Sequence, residues 1–154
     1  MNYEETQGDF LISTDKSKLD IQLIHNYLSK ESYWAKNIPL EIVQKGIQGS
    51  VCFGIYHQQK QIGFARVISD GAVFAWLADV FVLEEFRGKG LSKWMMKFIL
   101  AHPELQGLRR WMLGTKDAHG LYSQFGFKAL DNPERIMGLI LLTQYPAVKN
   151  EEGK

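Results

Sequence analysis

The tightest constraint on this chain lies between Ala75 and Ala101, where an apolar strand must give way through a glycine turn to the start of a helix. Ala75, Trp76, Leu77, Val80, Phe81, Val82 and Leu83 form a β-prone run broken by one acid, Asp79, and predict a largely buried strand. Arg87-Gly88-Lys89-Gly90 is the turn. Beyond it Leu91, Trp94, Met95, Phe98 and Ile99 fall at i, i+3, i+4, i+7 and i+8, one apolar helix face that Pro103 brings to an end.

A corner of this kind suits an anion. The first N–H groups of a helix have no intrahelical acceptor, the aligned peptide dipoles add roughly half a positive charge there, and glycines allow close approach to the chain. Lys89, Lys93 and Lys97 make the polar side of the helix cationic, so a pyrophosphate would fit. Spacing excludes two familiar phosphate loops. A P-loop needs four residues between its first glycine and a Gly-Lys-Ser/Thr triplet, and Gly88-Lys89-Gly90 is too compact; a dinucleotide fingerprint needs a third glycine where Lys93 stands.

What remains resembles the (R/Q)-x-x-G-x-(G/A) signature of the GNAT superfamily of acyl-CoA-dependent N-acyltransferases, read as Arg87-Gly88-Lys89-Gly90-Leu91-Ser92 after a Val82 to Phe86 lead-in. Ser92 departs from the usual final Gly or Ala. Downstream, Ala118-His119-Gly120-Leu121-Tyr122-Ser123-Gln124-Phe125-Gly126-Phe127 resembles the superfamily's A-x-x-L-Y-x-x-x-G-F segment, in the expected order and at a matching distance. The resemblance implies an α+β fold with a central mixed, mostly antiparallel sheet flanked by helices, and acetyl-CoA as co-substrate.

Carried over position by position, the resemblance puts Val80, Phe81 and Val82 against the pantetheine arm and thioester, mostly through their main chain. Gly88, Lys89, Gly90, Leu91, Ser92 and Lys93 would hold the phosphates, with Arg87 either beside them or an ordinary surface arginine. Thr115 stands where many relatives carry an asparagine that bonds the pantetheine. Tyr122 aligns with the frequent general acid; the alternative is a tyrosine packed on the sheet beside Phe125. The chemistry favours a phenol there, since the thiolate leaving group derives from a thiol of pKa about 8.5 and a phenol of pKa about 10 can return a proton to it.

The base is less evident. An alkylamine of pKa near 10.4 must lose a proton before it attacks. Trp76 occupies the position where some protein-acetylating relatives carry a glutamate. Asp79, three residues on, is the nearest acid; its alternatives are a base or substrate-binding group, or a salt bridge to Arg66 on the preceding strand, with a water chain as a further route. In such folds the acceptor pocket is built from the segment between the first two helices and the loop before the last strand. Glu31, Tyr33 and Trp34 with Trp76 would then make an aromatic box with an acid, suited to a small cationic amine, unless the aromatics are core and Glu31 a solvated charge.

The totals set the outer limits. A chain of 154 residues fits one domain, expected over 1–147 with a polar tail over 148–154, and with 45% hydrophobic residues it can bury a core without a disulfide or structural metal. A net charge of +1 argues against nucleic-acid binding. Cys52 is alone, so no intrachain disulfide forms, and in a strand rich in valine and phenylalanine it reads as core. His25, His57, His102 and His119 lack ligand spacing, which argues against a metal site. The first residues carry no leader pattern and no run is long enough for a membrane span, so the expected location is the cytoplasm.

In order, the pattern predicts a strand over Asp9–Ser13, a helix over Leu19–Leu28 and a second from Pro39 to Gln48. Strands follow over Val51–His57, Gln61–Ser69 and Ala72–Leu83, then the helix to Ala101 and a strand over Arg109–Gly114. A short helix over Asp117–Gln124 and strands over Phe127–Leu130 and Ile136–Thr143 complete the chain. The activity expected is transfer of an acetyl group to a small-molecule or peptide amine by direct attack in a ternary complex, in a monomer or homodimer. The alternative is a fold of the same kind that binds acyl-CoA as a sensor or partner-binding module, without transfer.

Overall fold

Runs of β-branched and aromatic residues dominate the middle of the chain, and the computed structural model, which describes residues 1–147, pairs six strands into one sheet. They are β1 (Glu4–Gln7), β2 (Phe10–Ser13), β3 (Val51–His57), β4 (Lys60–Ser69), β5 (Phe74–Val82) and β6 (Arg110–Leu113), adjacent in that order. All pairs are antiparallel except β5–β6, which is parallel and therefore needs a crossover. That crossover carries the glycine turn and the helix predicted after it. The sheet is thus mixed and mostly antiparallel, as the resemblance implied.

The helices are α1 (Ile21–Asn26), running on into a π-helical turn over Tyr27–Glu31, α2 (Leu40–Gln48), α3 (Leu91–Leu100) and α4 (His119–Ser123). The first begins two residues later than predicted because the Asp20 carboxylate accepts from the Leu23 N–H at 3.0 Å and caps it there. Asp15 caps only a 3₁₀ turn, Lys16–Lys18.

By internal packing the chain divides into two compact units, Met1–Leu19 with Ile47–Ala129, and Asp20–Gly46 with the residues from Leu130. The first contains the whole sheet, α3 and α4. Its core joins Phe53 and Ile55 of β3, Ala65 and Val67 of β4 and Leu77 of β5 to Leu91, Trp94, Met95 and Ile99 on one face of α3. Each of the aliphatic and phenyl side chains larger than alanine contributes about 1.5–3 kcal/mol by leaving water. In the second unit, Ile24, Tyr27 and Leu28 are buried.

One strand was missed and two expected strands need correction. β1 was not predicted: its side chains, Glu4 to Gln7, are all exposed and carry no apolar alternation, so only pairing with β2 across Gly8 makes it a strand. The strands expected over Phe127–Leu130 and Ile136–Thr143 do not form; both stretches are irregular, separated by a 3₁₀ turn at Pro133–Arg135. Ile136, Met137 and Leu139 to Leu142 are exposed. An apolar run can favour a strand, but the strand exists only where a second backbone accepts its hydrogen bonds. The tail assigned to Val148–Lys154 lies outside the described residues. No helix among those described is long and apolar enough to cross a membrane.

Candidate functional site

The turn after β5 is built by backbone chemistry that only glycine allows without strain. Gly88 has φ +80 and Gly90 φ +77, both left-handed, and apart from the adjoining chain no heavy atom lies within 4 Å of where a Cβ would sit on either. Gly90 is also the N-cap of α3, with no side chain closing the end. The first main-chain bond of the helix is Trp94 N–H to Gly90 O at 3.1 Å, so the amides of Leu91, Ser92 and Lys93 precede the ladder. Gly88, Lys89, Gly90 and Lys93 are exposed. This is an open, cationic corner able to take a diphosphate.

Arg87 is exposed, but its Nε–H donates to Val82 O at 3.0 Å, folding the arginine back over the end of β5. Between them the chain makes a 3₁₀ turn, Glu84–Phe86. Part of the guanidinium therefore shapes the corner itself.

The strand leading into the corner has a second strand beside it over only part of its length. β5 pairs with β6 only from Phe74↔Arg110 to Leu77↔Leu113; beyond that its ladder is with β4 alone, through Phe64↔Phe81 and Gly63↔Val82. Phe81 and Val82 are buried and Val80 half-buried, with the Phe81 ring 6.0 Å from that of Phe64. Their side chains are core. What the stretch offers a ligand is its main chain, in an edge-strand geometry that an extended amide-containing arm can join.

Tyr122 lies in α4, 8% exposed, within the core cluster that also holds Val82 and Leu91. Its ring meets Phe127 edge-on at 6.0 Å, and the Phe127 N–H returns to Tyr122 O at 3.3 Å. The Gly-Phe that ends the second motif thus holds the tyrosine from below. Thr115 Oγ1 accepts from the Ala118 N–H at 3.0 Å, so this hydroxyl organises the entry to α4.

Asp79 is paired: Arg66 Nε–H donates to Asp79 Oδ2 at 2.6 Å. The salt bridge named as its alternative is therefore present. Trp76 is half-buried in β5, opposite Ile68 of β4 and Met112 of β6. Tyr33 and Trp34 meet edge-on at 5.0 Å and are each more than a third exposed, and Glu31 is exposed. These three belong to the second unit and Trp76 to the first.

Cys52 is 1% exposed and burial pushes its thiol up to about 11, so it is inert near neutrality. Among the described residues no group of His, Cys, Asp and Glu side chains gathers as a metal site. A shallow hollow lined by Leu100, Trp111, Phe125 and Phe127 includes none of the predicted site residues. Sequence reasoning offered Arg66 as a partner for Asp79 but missed Ser50, whose Oγ accepts from the same guanidinium at 3.0 Å; the one signal was an acid inside an apolar strand.

The family described as an acetyltransferase (GNAT) domain matches residues 48–129, the span from the end of α2 to just past α4. A solved structure from Xanthomonas campestris pv. campestris, of a protein assigned to the GNAT family, is 53% identical with a TM-score of 0.84, over 86% of this chain and 93% of that one. A Gibberella zeae protein assigned as an acetyltransferase is 33% identical over 77% of this chain and 78% of its own. The structure of a GNAT family acetyltransferase from Elizabethkingia anophelis with acetyl-CoA bound is 14% identical, with a TM-score of 0.57 over 85% of this chain and 77% of that one. At that identity the likeness concerns the fold alone.

Proposed function

This chain belongs to the GNAT acetyltransferase family, and from that premise we propose that it transfers the acetyl group of acetyl-CoA to an amine by direct attack in a ternary complex. The observation that carries the reading is the exposed glycine corner at α3, fed by a strand whose second ladder stops at Leu77. The amides of Leu91, Ser92 and Lys93 and the turn at Gly88 to Gly90 hold the diphosphate, with Lys89 and Lys93 adding charge. The main chain of Val80 to Val82 takes the pantetheine arm as an added strand.

In the transfer, the neutral amine nitrogen attacks the thioester carbonyl, a C–N bond forms and the C–S bond breaks. The thiolate takes its proton from the Tyr122 phenol, and the ammonium proton passes to solvent or to a base at the acceptor side. Trp76, on the strand that takes the thioester arm, is the candidate within this unit for meeting a cationic acceptor. Thr115 is assigned to shaping the loop before α4, with its O–H left to meet the arm. A cytoplasmic setting, where acetyl-CoA and free amines meet, completes the reading.

Calorimetric titration with coenzyme A tests the first half, and release of free thiol from acetyl-CoA over a panel of small amines and peptides tests the second. Heat of binding together with thiol release on at least one amine is expected. Absence of any binding heat would sink the assignment. Binding with no turnover on any amine would favour the sensor or partner-binding alternative.

A further inference from the structure

β5 carries one residue too many for its partner. Between Arg66↔Ala78 and Phe64↔Phe81, two steps along β4 face three along β5, a bulge at Asp79 and Val80. The bulge changes which side chains enter the core, from Ala75 and Leu77 before it to Val82 after it. Asp79 has φ +55. Among the described non-glycine residues at positive φ, Asn37, Gln58 and Gln59 lie in turns, whereas Asp79 lies inside a strand. Aspartate adopts this left-handed geometry more readily than most residues, but it persists only where the surroundings over-determine it.

The surroundings here are a guanidinium. Arg66 Nε–H donates to Asp79 Oδ2 at 2.6 Å and Arg66 Nη1 donates to Ser50 Oγ at 3.0 Å. One side chain on β4 thereby ties the residue before β3 to the bulge of β5. The pair is mostly shielded from water, with side-chain exposures of 22% and 11%, so removing either partner leaves the other charge poorly solvated. Asp79 also lies two positions past Leu77, where β5 and β6 part.

We propose that Arg66 and Asp79 form a latch that holds the β5 bulge and so positions the main chain of Val80–Val82 for the thioester arm, Asp79 acting as a positioning residue. The proposal rests on the coenzyme A reading above. Without the latch the extra residue is free to slip along the ladder. A slip of one position would turn every following side chain, and the main-chain donors between them, to the opposite face.

The test combines coenzyme A affinity, turnover and amide exchange in the free protein. Arg66→Gln and Asp79→Ala are each expected to weaken coenzyme A binding at least tenfold and to speed exchange at Val80 to Val82 while the central β3 amides stay protected. The double variant is expected to bind about as weakly as either single one, because the two act through one interaction. Asp79→Asn keeps left-handed tolerance and an oxygen for Arg66, and is expected to retain most affinity and turnover, as Arg66→Lys retains part. The proposal is overturned if Arg66→Gln leaves both affinity and exchange unchanged, or if Asp79→Asn abolishes turnover at unaltered coenzyme A affinity, the behaviour of a base. A wild-type protein that binds no coenzyme A defeats the functional reading instead, and the exchange rates then show separately whether the latch holds the bulge.

Discussion

At the scale of single residues, the site divides into positions where the backbone matters and positions where a side chain does. Gly90 is of the first kind: its φ of +77 is costly for an L side chain by about 1–2 kcal/mol, and the space around it is open. Gly90→Ala is therefore expected to lower the melting temperature by a few degrees through the backbone alone, with Gly90→Asn recovering part of the loss, since asparagine tolerates that conformation. Equal losses for Ala and Asn would contradict it. Tyr122 is of the second kind. Tyr122→Phe keeps the ring on Phe127 and removes the phenolic proton, so turnover should fall about 100-fold or more while coenzyme A affinity stays the same. Unchanged turnover would return Tyr122 to the core.

At the scale of elements, short turns around the sheet are held by polar side chains whose protonation matters. His102 ends the segment after α3: its Nδ1 accepts from the Glu104 N–H at 3.1 Å and caps the 3₁₀ turn Pro103–Leu105. Its ring is buried against Phe53, 5.7 Å away, and Tyr3, 4.8 Å away. Burial holds its pKa below the ordinary imidazole value, about 6.5. The unfolded chain then binds the proton more readily than the folded one, so stability is fully present above about pH 6.5 and is lost as pH falls through the lower folded value. Melting temperatures taken from pH 7 to 5 should decline, and His102→Asn, which keeps a capping acceptor but cannot protonate, should flatten that part of the decline. An identical slope in the variant would assign the pH dependence to other groups. Asp70 behaves in the same sense at lower pH. Its Oδ1 accepts from the amides of Val73, Ala72 and Phe74, which hold its carboxyl below the usual range, so its contribution to the β4–β5 turn disappears as that carboxylate is protonated.

At the scale of the whole molecule, the unit built on the sheet depends on a few large side chains between β3 and α3. Phe53 is 0% exposed at the centre of that layer, and Phe53→Ala is expected to cost about 3–5 kcal/mol, a large share of a domain's typical 5–15. Urea unfolding measures it, and a loss under about 1 kcal/mol would show that the layer closes over the gap. Much of this unit was legible in the chain. The hairpin of Val51–His57 and Gln61–Ser69, the amphipathic run from Leu91 and the glycine corner each rest on periodicity or on residues that allow special dihedrals. Those signals are local. The sequence by itself therefore determined the order of the central elements, the glycine corner and the tyrosine segment, because these follow from spacings of a few residues. Only the tertiary structure decided that Glu4–Gln7 is a strand, that Ile136–Thr143 is not, and that Asp79 belongs to Arg66. Each of those depends on which distant backbone or guanidinium arrives opposite, and hydrogen bonds and ion pairs formed across the chain leave no period in it.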